Sequence, residues 1–305
     1  VMVPDAQPRS YYGQPVIKEP VWTPEIPVYF FTGGLAGASA GLALMAGATG
    51  NETLAKRSWA IALVNIGASP ALLISDLGRP ARFLNMLRMF KVTSPMSVGS
   101  WILSASGAAT GLATLNAWTG TFPVAGRAAK VAAGVLGMPL ATYTAALISN
   151  TAVPVWHQAR FMLPFVFAGS SAMSAGGAAA ILTPARDAAP ARRLALTGAV
   201  AAVLSTQAME QKLGDLGEPY SEKAAGTLKR LALGLTVAGA GVMAAAGRRR
   251  AGAAAAGALM LAGAACERFS VFRAGFQSAA DPKYTVGPQR ERIAAGRGHG
   301  AVARA

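Results

Sequence analysis

Residues 26–49 read IPVYFFTGGLAGASAGLALMAGAT and contain no charged side chain. A helix needs about 20 mostly apolar residues to cross the hydrocarbon core of a bilayer. This stretch is therefore predicted to be a transmembrane helix. Its glycines are predicted to be packing positions, because small residues let helices approach closely where lipid surrounds them.

Seven further stretches have a similar length and apolar character. They are residues 58–75, 96–118, 131–149, 161–182, 194–209, 228–246 and 251–272. The chain is therefore predicted to be an all-α, polytopic membrane protein with about eight transmembrane helices. An even number of crossings would place both termini on one side of the membrane. Residues 1–25 are predicted to form an extended N-terminal arm, and residues 277–305 a C-terminal tail.

The composition agrees with a membrane protein and argues against two other classes. The chain is 53% hydrophobic and 13% charged, with a mean hydropathy of +0.39, whereas soluble domains have about 25% charged residues. The net charge of +15 does not indicate nucleic-acid binding, because the basic residues lie between apolar runs rather than on one exposed face. Membrane lipid, and not nucleic acid, is the expected environment.

The supply of metal ligands is too small for a resident redox centre. Cys266 is the single cysteine, and the two histidines, His157 and His299, both lie outside the middle of the apolar runs. An iron–sulfur cluster is held by several cysteine thiolates. A haem bound within the membrane by two histidines would need both of them inside the spans. We therefore expect no haem, no iron–sulfur cluster and no metal in this chain.

The connecting segments differ in charge on the two sides. The short links after the first, third, fifth and seventh spans are basic, and short basic loops favour the cytoplasm. Their residues are Lys56, Arg57, Arg127, Lys130, Arg186, Arg192, Arg193 and the triplet 248–250. We therefore place the protein in the cell membrane with both termini extracytoplasmic.

Several motifs resemble one family of membrane subunits. WTPEIPVYFF at 22–31 is followed by GGLAG, DLGRPARF occupies 76–83, and SPMS at 94–97 with GSW at 99–101 enters the third span. Tyr143 lies in the fourth span, and PVW follows at 154–156. Together these segments are similar to the NrfD/PsrC-type membrane anchors of molybdenum-dependent oxidoreductases, such as polysulfide reductase and certain formate dehydrogenases. The second half of the chain fits the family less specifically.

The resemblance implies an architecture and a function. It implies two four-helix bundles, here residues 26–150 and 151–276, of which the first holds an exchangeable quinone, with menaquinone expected. The chain would then anchor a respiratory oxidoreductase and pass electrons between a docked ferredoxin-like iron–sulfur subunit and membrane quinone, with coupled protonation. A molybdopterin catalytic subunit would complete the complex.

Asp76 and Tyr143 are the two candidate catalytic residues. An acidic side chain at the end of an apolar span usually marks a pathway or a paired site, so Asp76 is expected to handle quinone protons. The alternative for Asp76 is an ion pair with Arg79 or Arg82. A buried phenol needs a hydrogen-bond partner, which for Tyr143 is a quinone carbonyl or a neighbouring backbone carbonyl.

Three further residues are candidates for quinone binding. Glu25 and Tyr29 are one helical turn apart and could reach the same headgroup, although interfacial anchoring explains them equally well. Some family members place Asn and His in this region, so these contacts differ from the family's pattern. Arg82 is a third candidate, with lipid headgroups or the iron–sulfur subunit as its alternative partners.

Acidic residues near the ends of later spans leave two explanations open. Glu210 ends the sixth span and is predicted to contribute either to a proton path or, by preference, to an ion pair across helices. Glu267 and Arg268 are adjacent in the eighth span, and each is expected to need a separate partner, because adjacent residues on a helix point about 100° apart.

Two other functions remain open from the sequence. An ion or solute transporter would also be compatible with eight spans and a few intramembrane acids, although inverted repeats and broken helices, which are common in transporters, are not evident. A structural anchor without a quinone site would be distinguished by the absence of Asp76 and Tyr143 from a common pocket.

Overall fold

The computed structural model describes residues 15–294 and 296, and within them the chain is helical without strands. Eight long helices and three short ones, α3, α6 and α11, follow one another along the chain. They are α1 Glu25–Ala48, α2 Glu52–Asp76, α3 Arg82–Met86, α4 Pro95–Thr119, α5 Pro123–Ser149, α6 Pro154–Gln158, α7 Leu163–Leu182, α8 Ala189–Leu213, α9 Lys223–Ala246, α10 Arg250–Ala280 and α11 Lys283–Ala294. A 3-10 helix, Gly214–Tyr220, joins α8 to α9. The predicted all-α fold is confirmed.

Six of the long helices are long and apolar enough to cross a membrane: α1, α2, α5, α7, α9 and α10. Helices α4 and α8, of 25 residues each, are comparable in length with these six but are less continuously apolar. Each packs against its neighbouring long helices. The chain is thus a multi-pass membrane protein, and each of the eight predicted spans corresponds to a long helix.

The long helices form two groups of four. In the first group α1 packs against α2 and α5, while α4 closes the ring between α2 and α5. In the second group α7 packs against α8 and α10, and α9 closes the ring. The groups meet where α7 lies against α1 and α5, and where α10 lies against α1. This is the predicted arrangement of two four-helix bundles.

Glycines set the closest approaches between these helices. A Cβ atom on Gly37 of α1 would overlap the backbone carbonyl of Gly137 on α5, and the reverse also holds. In the second bundle Gly176 of α7 lies directly against the backbone of Ala191 and Ala195 on α8. These glycines are therefore packing surfaces, as expected for helices that associate in lipid.

Several predicted boundaries were wrong at the basic links. Helix α2 begins at Glu52 and α5 at Pro123, so Lys56, Arg57, Arg127 and Lys130 lie in the first turns of helices rather than in loops. The side chain of Asn51 accepts a hydrogen bond from the Leu54 amide (3.1 Å) and caps α2. The hydropathy pattern missed these turns because a helix continues into the interface, where charged side chains are solvated.

The predicted C-terminal tail also contains helix. Helix α10 continues through residue 277 to Ala280, and α11 covers 283–294. At the other end, Glu25 is the first residue of α1 rather than part of the arm. Residues 15–24 form no regular element, and the predicted extended arm at 1–14 lies outside the described residues.

The described chain ends lie at one end of the bundles. Ile17, Lys283 and Tyr284 line the same surface groove. At the opposite end, the Asn51 amide donates to the Asp187 carbonyl (2.8 Å) and Arg250 donates to the Thr183 carbonyl (3.2 Å). We call these the arm face and the basic-link face.

Candidate functional site

Tyr29 lies in the second turn of α1 and points into the first bundle. Its side chain is only 1% exposed, and its hydroxyl has no hydrogen-bond partner among the described residues. A buried hydroxyl without a partner costs about 1–3 kcal/mol, and such groups in native proteins usually have a ligand, water or ion as partner. The Tyr29 hydroxyl therefore marks a position where a hydrogen-bonding molecule would be stabilised.

Tyr143 of α5 lies beside Tyr29. The two rings make an edge-to-face contact with their centroids 6.4 Å apart. A Cβ atom on Gly99 of α4 would overlap the Tyr143 ring, so the absence of a side chain at Gly99 makes the space for this ring. Three helices of the first bundle thus determine the position of the two phenols.

The surroundings of the tyrosines are apolar. Both rings belong to a hydrophobic cluster that also draws side chains from α2, α4 and α5: Ile66, Leu72, Leu73, Ile102, Leu103, Leu140 and Leu147. Polar groups are few on these walls. Apolar side chains around a small number of polar groups that determine orientation are typical of sites for apolar ligands.

Asp76 lies at the C-terminal end of α2, on the arm face. A carboxylate is unfavourable there because the end of a helix carries partial negative charge. The Asp76 carboxylate accepts hydrogen bonds from the Thr23 amide (2.9 Å) and the Thr23 hydroxyl (2.7 Å). It forms no ion pair with Arg79 or Arg82 among the described residues, so the predicted alternative partners were wrong. Asp76 instead attaches the arm to α2.

Glu25 lies between Asp76 and the two tyrosines. It begins α1 two residues after Thr23, and it precedes Tyr29 by one helical turn. Its Oε2 atom is buried without a hydrogen-bond partner among the described residues. Asp76, Glu25 and Tyr29 thus follow one another from the arm face into the first bundle, and no hydrogen bond joins Asp76 to Tyr143 among the described residues.

Arg82 does not join this group. It begins the short helix α3 and is exposed, and its side chain makes no hydrogen bond or ion pair with the described residues. His157 is also exposed, with its Nδ1 3.2 Å from the Ser149 carbonyl. The structure therefore brings Tyr29 and Tyr143 together and places Glu25 and Asp76 between them and the arm face. Arg82 remains on the surface.

The Ser-Pro motif at the start of α4 has a structural explanation. Ser94 caps the helix, and Pro95 occupies the first turn, where its missing amide hydrogen costs nothing. The Ser97 hydroxyl donates to the Met89 carbonyl (2.9 Å), and the Trp101 indole also reaches that carbonyl. These contacts attach the segment between α2 and α4 to the arm face.

Arg268 is the buried charged residue whose importance the sequence reasoning underestimated. It lies on α10 at 1% exposure and donates to the Phe167 carbonyl (2.9 Å) and the Ser171 hydroxyl (3.0 Å) of α7. Its guanidinium lies 3.6 Å from the centroid of the Phe167 ring. A charge inside an apolar span is by itself a signal of function and could have identified it.

Glu267 and Arg268 form an ion pair, with Nη1 and Oε1 3.5 Å apart. The expectation that adjacent residues on a helix would not pair was therefore wrong, whereas Arg268 does have separate partners on α7. Both side chains are long and flexible enough to bend towards each other. Glu210, in contrast, pairs with Lys229 of α9 (3.1 Å), which is the cross-helix ion pair that was preferred.

The fold defines a multi-pass membrane protein in whose first bundle the buried Tyr29 contacts the partly buried Tyr143. A family model described as polysulfide reductase, of the NrfD type, matches residues 9–280. The chain belongs to this family and is a membrane anchor subunit of the polysulfide reductase-like kind. Membrane subunits of the family generally partner with iron–sulfur and molybdopterin subunits. No curated protein matches the chain.

Proposed function

We propose that this chain exchanges electrons between a docked iron–sulfur subunit and membrane quinone, and that the quinone headgroup binds at Tyr29 and Tyr143. The observation that carries the proposal is the fully buried Tyr29 hydroxyl, which has no partner among the described residues. A quinone carbonyl accepts a hydrogen bond from such a donor. The apolar walls suit the rest of the ring and the first part of the isoprenoid tail.

Reduction of a quinone takes up two protons with two electrons, so a site inside the bundle needs a supply of protons. Glu25 and Asp76 lie on the arm-face side of Tyr29, and they are the acidic residues that could deliver protons from that face. The iron–sulfur subunit would dock on the same face, close to the headgroup. The quinone would be menaquinone or a relative, and Arg82 would face the docked subunit or lipid headgroups.

Tyr143→Phe and Tyr29→Phe test the proposal, because each removes one hydroxyl and keeps the ring. Losing a hydrogen bond to the headgroup costs about 1–3 kcal/mol, so we expect quinone turnover to fall roughly tenfold to a hundredfold. Tyr284→Phe, on α11, is the matched control and should leave turnover unchanged, because Lys283 still holds α11 through Glu218. The assay compares electron transfer to a quinone analogue with transfer to an artificial dye that accepts electrons from the soluble subunits.

The quinone site is wrong if both tyrosine variants keep full quinone activity and dye activity. A parallel loss of both activities would indicate damaged assembly, and quinone binding measured on the purified chain then replaces the activity assay. A structural anchor without a site predicts one further result: Tyr29→Phe would raise thermal stability, since it removes a buried hydroxyl that has no partner.

A further inference from the structure

The second bundle contains polar groups that the proposed quinone site does not use. A cavity of about 210 Å³ lies between α8, α9 and α10. Its lining includes Tyr220, Glu210, Lys229 and Glu267 among apolar side chains. The volume is many times the roughly 10–15 Å³ that one water molecule requires in such a measure. We call this cavity the inner chamber.

Two buried polar atoms of the inner chamber have no hydrogen-bond partner among the described residues. Tyr220 is 2% exposed, and its hydroxyl has no hydrogen-bond partner among the described residues. The same holds for the Oε1 atom of Glu267, whose side chain is 13% exposed. Buried polar groups are stable when something hydrogen-bonds to them. The chamber is roomy and polar enough for ordered water to do so.

A second, outer cavity adjoins this chamber at Glu210. It measures about 610 Å³ and is lined by Glu210, Asp215, Glu218 and Ser221. Glu210 lines both cavities and therefore separates the outer one from the inner chamber. Tyr220 lies within electrostatic range of both Glu210 and Glu267. Carboxylates and one phenol thus lead from the surface to the middle of the second bundle.

The charged groups around Glu267 come from several elements. Arg268 on the same helix forms an ion pair with it. Lys229 on α9 is held by Glu210 on α8, and Arg230 on α9 also lines the chamber. The innermost of these charged groups is Arg268, which donates hydrogen bonds to Phe167 and Ser171 of α7.

We propose that the inner chamber is a hydrated proton-exchange site in which Glu267 takes up a proton from chamber water and releases it to the same water. Glu210 and Tyr220 relay the proton between Glu267 and the outer cavity. No electron transfer or bond to another reactant is involved, and the site is independent of the quinone proposal. Intramembrane acids with access to water are the usual elements of such relays.

Infrared difference spectroscopy of the purified chain, with any subunits that accompany it, tests the proposal without quinone. Spectra between acidic and alkaline buffer should contain the C=O band of a protonated carboxyl that shifts in D₂O. The band should disappear in Glu267→Gln and move, but persist, in Glu267→Asp. Glu52→Gln, an exposed acid on the basic-link face, is the control and should leave the band unchanged.

The relay is tested by the rate at which that band responds to D₂O. Glu210→Gln and Tyr220→Phe should slow the exchange by about a hundredfold, the low end of what a positioned proton donor contributes. The proposal is overturned if the band survives in Glu267→Gln, or if neither relay variant slows the exchange. A band that responds to Na⁺ at constant pH would also overturn it and indicate a metal-cation site.

Discussion

At the scale of single residues, three polar groups inside the bundles have different physical situations. One guanidinium nitrogen of Arg268 donates hydrogen bonds to a backbone carbonyl and to a serine hydroxyl of α7. Tyr29 and Tyr220 are equally buried but their hydroxyls have no protein partner among the described residues. The arginine therefore stabilises a contact between helices, whereas the two phenol hydroxyls are available to hydrogen-bond with a ligand or with water.

Gly99→Ala should disturb the candidate quinone site without changing any polar group. The new methyl group would overlap the Tyr143 ring and force it away from Tyr29, and overpacking of this kind costs about 1–3 kcal/mol. We expect a lower thermal unfolding temperature and weaker quinone turnover. Both are measured on the purified chain and in the quinone-analogue assay.

Gly111→Ala is the matched control on the same helix. No atom lies within 4 Å of a Cβ built at Gly111, so the substitution should be neutral or stabilise α4 by up to about 1 kcal/mol. If Gly99→Ala behaves like Gly111→Ala in both measurements, Tyr143 does not depend on the space at Gly99, and the described geometry of the site is wrong.

At the scale of elements, α11 is attached to the 3-10 helix by one carboxylate. Glu218 accepts hydrogen bonds from the Lys283 ammonium (2.6 Å) and the Tyr284 hydroxyl (2.9 Å). The hydrogen bond from Lys283, followed by that from Tyr284, lowers the pKa of Glu218 below its ordinary value of 4.5. The hydrogen bond to Glu218 likewise raises the pKa of Lys283, and burial raises the pKa of Tyr284 to about 12.

These shifts predict the pH range over which α11 stays attached. The contribution of Glu218 is complete above pH 4.5 and is lost as the pH falls through its lowered pKa, because the protonated acid no longer pairs with Lys283. The contribution of Lys283 is complete below pH 10.5 and is lost only at higher pH. Attachment should therefore persist from mildly acidic to mildly alkaline pH and fail in strong acid.

Hydrogen exchange of the α11 amides, corrected for the intrinsic effect of pH, measures this attachment. Exchange should be slow at neutral pH and fast in strong acid, and Glu218→Gln should give fast exchange already at neutral pH. Glu291→Gln, an exposed acid on α11 itself, should behave like the unmodified chain. Equal protection of α11 in Glu218→Gln would show that other contacts hold the helix.

At the scale of the whole molecule, the two bundles are joined by a continuous series of side-chain contacts, most of them between aromatic rings. Arg268 of α10 lies on Phe167 of α7, which contacts Phe30 of α1 (6.1 Å between centroids). Phe30 contacts Tyr29 (6.2 Å), and Tyr29 contacts Tyr143. The candidate quinone site and the inner chamber are thus connected by closely packed side chains, and their positions relative to each other are fixed by the interface of α1, α7 and α10.

The eight long helices predict opposite locations for two exposed positions. In a Cys266→Ser background, Arg248→Cys and Gln289→Cys each introduce one thiol, on the basic-link face and the arm face respectively. A membrane-impermeant maleimide added to intact cells should label the thiol at 289 and leave that at 248 unlabelled until the membrane is opened. Labelling of both from one side would contradict eight crossings, whereas the reverse pattern would contradict only the predicted extracytoplasmic position of the termini.

The sequence by itself determined the class and the approximate number of long helices, because hydropathy over some 20 residues is a local property that lipid imposes on each span. The entry of the third span at the Ser-Pro motif was likewise predicted from the sequence, since capping residues act on their own neighbours. The partner of Asp76 required the tertiary structure, because Thr23 is distant in sequence and only the docking of the arm brings it near.

The same reason explains the other features that the sequence left open. Tyr29 and Tyr143 were candidates separately, but their contact depends on the close approach of α1 and α5 and on the space at Gly99. The pair of Glu267 with Arg268, and the chamber that Glu267 shares with Tyr220 and Glu210, depend on how four helices enclose them. Burial and partnership are properties of the packed bundle, and so they were decided by the tertiary structure alone.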